Sequence, residues 1–204
     1  MLNIDKKAWE EAEATEFGEY ENLELGGHAI VIRKADEYKS KDGNMSLRIQ
    51  VDIDKSDKQA GFFQKQFDNN TRSDKIWSQN ATKYYSLKQE NYNLLKGFIT
   101  AVENSNTGFK FDMDETKLAG KKVAGVFGWE EYEKQDGTVG VGTRLVQIRS
   151  LDKLNEIKIP KVKKLDGSYV DYEEYKNHKK NATAEEMFGA SIVETDNGDL
   201  PFEI

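Results

Sequence analysis

Catalysis needs carboxylates, imidazoles or thiols gathered at short spacing, and this chain offers few such groups. Asp52 and Asp54 lie two apart in an alternating stretch, and Asp112, Asp114 and Glu115 form a second acidic group. Oxygen donors of this kind suit a hard cation, so Asp52 and Asp54, projecting to one strand face, define an alternative reading as an Mg²⁺-dependent nuclease. That chemistry also wants a Lys or His beside the metal. The only histidines are His28 and His178, neither in a motif, and Asp54-Lys55-Ser56 and Asp114-Glu115-Thr116 are ordinary turn and helix-start sequences. There is no Cys, which excludes disulfides, thiolate zinc sites and Cys nucleophiles, and there is no Gly-Lys-Ser/Thr phosphate loop. The chain is therefore read as a non-enzyme, with no cofactor and no metal site.

Aromatic and cationic side chains are better supplied. Together they bind single-stranded nucleic acid, rings under the bases and cations along the phosphates, each stacked base contributing about 1–3 kcal/mol. Arg48 alternates with Leu47 and Ile49, which puts a planar guanidinium on the wet face of a strand, able to stack on a base or fork onto phosphate. Arg33 and Lys34, and Arg144 and Arg149, are second-rank cations. Phe62 and Lys65 belong to the stretch 61–67, read as a strand: with Phe63 and Phe67 inward Phe62 faces out, and the reverse register exposes Phe63, Lys65 and Phe67. Tyr84 and Tyr85 follow Lys83 and are assigned to binding. Trp77, in the polar run 72–78, is either a stacking platform or a plug over a barrel end, the plug being preferred. Tyr132 falls on the opposite face from Val123, Phe127 and Trp129. Taken singly, each of these cations is equally well explained as solvated surface, and Phe62 as packed beneath a loop; only the joint occurrence of the cations favours binding.

Charge supports that reading once it is located. The net charge is −7, but residues 1–24 and 181–204 contribute −6 each, which leaves +5 for residues 25–180. A basic body between acidic ends suits a polyanion binder whose own tails compete for its groove. No apolar run approaches a membrane span and Met1-Leu2-Asn3-Ile4-Asp5 lacks a signal-peptide pattern, so a cytoplasmic location is expected.

The elements that must position these side chains follow from periodicity. Ala29-Ile30-Val31-Ile32, the turn Lys41-Asp42-Gly43-Asn44, and the alternation of Leu47, Ile49, Val51 and Ile53 predict a hairpin over 28–53. The stretch 61–67 is the expected third strand. Leu87, Asn91, Leu94, Leu95, Phe98, Ile99 and Val102 then step at three and four residues, a helix ended by Asn104-Ser105-Asn106-Thr107-Gly108. Residues 121–132 and 139–150 form a second hairpin around Gln135-Asp136-Gly137, with Gly140 and Gly142 permitting a bend or bulge. This order predicts a mostly β domain, an OB-fold-like five-stranded barrel with one helix between strands 3 and 4. Beyond it, Lys158, Lys161, Lys163 and Lys164 with Tyr169, Tyr172 and Tyr175 suggest a partly disordered basic arm. The divisions are an acidic segment at 1–17, the domain at 18–150, the arm at 151–180 and an acidic tail at 181–204.

Gly120-Lys121-Lys122-Val123 through Glu130-Glu131-Tyr132-Glu133, then Asp136-Gly137 and Thr143-Arg144-Leu145-Val146-Gln147-Ile148-Arg149-Ser150, resemble a family of phage-encoded proteins of Gram-positive-type hosts, taken to be single-stranded DNA-binding proteins. The first hairpin and Lys158-Ile159-Pro160 fit the same family, over roughly residues 18–160. The resemblance implies a single-stranded DNA partner and a role in phage replication or recombination. The end of the chain, Asp199-Leu200-Pro201-Phe202, is similar to the acidic tip with which bacterial single-stranded DNA-binding proteins dock replication and repair partners, which implies that these residues bind a protein. Two features depart from it: Glu203 and Ile204 follow Phe202, and the preceding linker is rich in Lys and Tyr. Self-association, and a role as a module that inhibits a host factor, remain open alternatives.

Overall fold

The computed structural model describes residues 22–179 together with Asp5 and Lys7. The predicted first hairpin forms as β1 (Gly26–Lys39) and β2 (Met45–Ile53), paired antiparallel. Its turn closes where Gly43 takes φ 79° and donates to the Ser40 carbonyl at 2.9 Å, a left-handed geometry that a Cβ would disfavour. β2 pairs on its far side with β3 (Thr82–Ser86). The first half of β1 pairs with β4 (Lys122–Glu133), which turns back into β5 (Val139–Arg149), the second predicted hairpin. Short β6 (Val162–Lys163) runs parallel to β4, and β7 (Tyr169–Val170) pairs with β6.

The architecture is thus mostly β, a sheet of seven strands in the order β3-β2-β1-β4-β6-β7 with β5 also on β4, and it does not close into the expected five-stranded barrel. β3 and β5 share no ladder. A single side chain bridges them instead: Lys83 Nζ donates to the Val146 carbonyl at 2.7 Å. That carbonyl is available because β5 carries a bulge, Gln147 lying opposite Val126 and Leu145 opposite Phe127, with Val146 left over. A second bulge leaves Arg33 unpaired between Ile32, opposite Val51, and Lys34, opposite Gln50. The irregularities therefore fall at Arg33 and Val146. Gly140, where one was expected, lies opposite Tyr132, and a Cβ there would stand 2.5 Å from the tyrosine ring.

The stretch 61–67 is not a strand. It starts helix α1 (Phe62–Asn69), with the true third strand following at Thr82. Gly61 enters the helix at φ 68°, and the Asp52 carboxylate accepts from the Phe63 backbone N–H at 3.0 Å, satisfying one of the donors a helix start leaves open. The predicted helix between the third and fourth strands is present as α2 (Tyr92–Ser105), burying Phe98, Ala101 and Val102. The core gathers Ile30, Ile32, Ile49, Val51, Phe98, Val123 and Phe127 between the sheet and these helices.

The basic arm is built into the fold as far as it is described. Asp166-Gly167 makes the expected turn between β6 and β7, and residues 172–179 are helical. Asp171 starts that helix by accepting from the Glu173 N–H at 3.0 Å. Tyr172 and Tyr175 then face Trp129 at 5.0 and 6.3 Å between ring centroids, and Tyr175 Oη donates to Glu131 at 2.7 Å. The acidic tail from 181 onward lies outside the described residues. Among the described residues no helix is long and apolar enough to cross a membrane.

Candidate nucleic-acid interface

Strand pairing builds the best-organised polar surface. Asp36 lies opposite Arg48, and Arg48 opposite Tyr84, so three neighbouring strands present one row on the face away from Leu47, Ile49 and Tyr85. Asp36 accepts from Arg48 Nε at 2.8 Å and Nη2 at 2.6 Å, a two-pronged ion pair that fixes the plane of the guanidinium. The same guanidinium lies 5.1 Å from the centre of the Tyr38 ring, and Tyr38 lies 5.3 Å from Tyr84. Lys34 completes the group, its ammonium 2.9 Å from Asp36. The Arg48 hydrogen bonds hold the Asp36 carboxyl at about 2, against an ordinary 3.8, so it remains ionised, and the same contact raises Arg48. Tyr84 is 38% exposed, and its hydroxyl bonds Gln79 Oε1 at 3.2 Å. This cluster can stack planar groups on two tyrosines and offer cations to phosphate.

A second group surrounds α1. The bulged Arg33 places its guanidinium 4.6 Å over Trp77, Trp77 lies 5.7 Å from Phe67, and Lys75 sits 4.7 Å over Phe67. Trp77 is half-buried, donates from Nε1 to the Val51 carbonyl at 3.2 Å and packs against the core. Arg33 also bonds Gln64 and approaches Asp52 at 3.9 Å.

The remaining sequence-chosen residues separate. Phe62 is buried at 8% exposure, edge-on to Phe63, and cannot serve as an outward platform, because the helix it opens turns it onto the core. Lys65 is exposed, but on α1 rather than on a strand. Tyr85 faces inward and stacks on Phe98 at 4.7 Å, burial pushing its phenol well up, so it cannot serve as an outward platform, whereas Tyr84 is exposed on the opposite face. Tyr132 is exposed at 39% on β4, and Arg144 and Arg149 lie on β5, Arg144 3.8 Å from Glu130 and Arg149 bonded to Gln147 at 3.0 Å. These three stand outside the Tyr38–Arg48–Tyr84 cluster. Tyr38 and Asp36 were missed, although alternation with Lys34 would have put all three on the outer face of β1. Asp199, Leu200, Pro201 and Phe202 lie outside the described residues.

The carboxylates of the nuclease alternative are both buried, and each has a structural task. Asp52 holds the Phe63 and Ile53 N–H groups, while Asp54 accepts from Ser56 and from Lys122 Nζ at 3.0 Å, contacts that lower it against the opposing effect of burial. Among the described residues no three His, Cys, Asp or Glu side chains gather as metal ligands would. No protein-family model matches this chain, and no curated protein is significantly similar to it.

Proposed function

We propose that this protein is a non-catalytic single-stranded DNA-binding protein, working in phage replication or recombination. The observation that carries the reading is the cross-strand cluster of Tyr38, Tyr84, Arg48 and Lys34, two aromatic rings and two cations on one open sheet face. Rings at this spacing suit successive bases, and cations beside them suit the phosphates that follow, a mode with little sequence preference. We read the sheet as an opened OB-type barrel: β3-β2-β1-β4-β5 is the order such a barrel needs, and the Lys83–Val146 bond draws its two unpaired edges together. The excess of positive charge over residues 25–180 agrees with this role. The acidic tail, through Leu200 and Phe202, is the proposed site for a replication or recombination protein, and the host cytoplasm is the proposed location.

Fluorescence titration with oligo-dT and with a matching duplex, at low and moderate salt, tests the proposal. Tighter, salt-sensitive binding of the single strand is expected. Equal affinity for both, or none for either, overturns it.

A further inference from the structure

A cavity of about 720 Å³ opens between the segment entering β1, helix α1, β5 and the helical residues 172–179. Its size falls within the roughly 300–1,000 Å³ typical of small-molecule sites. Trp129 and Tyr172 both line it, packed on each other with ring centroids 5.0 Å apart at 59°, so its wall carries aromatic surface on which a planar group can pack. Asn22, Gln66, Asn80 and Thr143 supply carboxamides and a hydroxyl to the same walls. We infer that this cavity is a nucleobase site continuing the single-strand groove, an inference that rests on the reading under Proposed function.

The ligand class follows from the lining. A hydrocarbon would bury the amides without partners, at a cost each time, whereas a base edge carries the alternating donors and acceptors that carboxamides match, and its flat faces suit the two rings. The charged groups in its lining are Glu24, which pairs with Lys58, and Lys179. Continuity with the open face is short. Tyr84 donates to Gln79, and the next residue, Asn80, lines the cavity, so a single 3-10 turn, Gln79–Ala81, separates the two surfaces.

Photocrosslinking of the full chain decides the matter. An oligo-dT long enough to span both surfaces is prepared with 5-iodouracil at successive single positions, irradiated on the protein, and the adducts are located by peptide mass spectrometry. Adducts on Trp129 or Tyr172 at some positions, and on Tyr38 or Tyr84 at others, are expected. Combining Asn80→Ala with Gln66→Ala, which leaves the aromatic core intact, should weaken binding of that oligonucleotide about five-fold or more with the thermal midpoint unchanged. Adducts confined to Tyr38 and Tyr84, with the double variant binding as the wild type does, would overturn the cavity site and leave the open-face reading standing. Absence of binding and of every adduct removes both.

Discussion

Replacing Asp36 by Asn should lower the stability of the protein and raise its affinity for single-stranded DNA, two effects of opposite sign from one atom exchange. Asp36 holds Arg48 through two short hydrogen bonds and also pairs with Lys34, and its carboxyl sits at about 2 instead of 3.8. A difference of that size corresponds to at most about 2.5 kcal/mol, reduced toward about 1 kcal/mol by solvent because both partners are about a quarter exposed. The folded value is depressed, so this contribution is present above about pH 4 and is lost as the pH falls toward 2. Asn keeps one acceptor for Arg48, and the Tyr38 ring still backs the guanidinium, so the cation stays in place while its competing anion disappears. If one more phosphate is then engaged, the logarithmic salt slope steepens by about 0.7, and the affinity gained at 50 mM salt exceeds that at 200 mM by about 2.5-fold. Urea denaturation at neutral pH and at about pH 2 measures the first effect, and the variant's deficit should shrink to a small fraction of its neutral value in acid. Oligo-dT titration at the two salts measures the second. A variant that binds more weakly than wild type at both salts with an unchanged slope would refute the argument, leaving the ion pair as a structural brace away from the DNA.

Adjacent tyrosines should part company: Tyr84→Ala is expected to weaken oligo-dT binding by about 1–2 kcal/mol with little change in stability, while Tyr85→Ala, which removes the ring stacked on Phe98, should cost about 3 kcal/mol in urea denaturation. Gly128→Ala places a methyl group 2.4 Å from Pro160 Cγ, so the segment after β5 must move off β4, with a loss of about 1–3 kcal/mol measurable by thermal denaturation; wild-type stability would show that Pro160 yields freely. Removing residues 194–204 takes the net charge from −7 to −3 and should tighten oligo-dT binding at low salt, the gain fading as salt rises, whereas Phe202→Ala should leave that affinity unchanged and abolish retrieval of a host replication or recombination protein.

Much of this fold is written in short-range patterns. Leu47, Ile49, Val51 and Ile53 alternate over a whole strand, and a period of two has one buried solution, so Arg48 had to face the other way. Gly43 and Gly167 mark turns because only glycine takes their positive φ without strain, and the long apolar stepping through Leu95, Phe98 and Val102 exceeds what a strand could use. Short runs carried no such guarantee. Phe62, Phe63 and Phe67 fit either period over so few residues, and the helical start is supported by the Asp52 carboxylate, brought from β2 to the N–H of Phe63. The inward turn of Tyr85, the arm's docking on Trp129 and the bulges at Arg33 and Val146 were likewise settled by partners remote in sequence. Local sequence determined which residues could face water, because alternation and turn chemistry act within a few bonds. Only tertiary packing decided which of those faces stayed open, because burial depends on what the rest of the chain brings to lie against them.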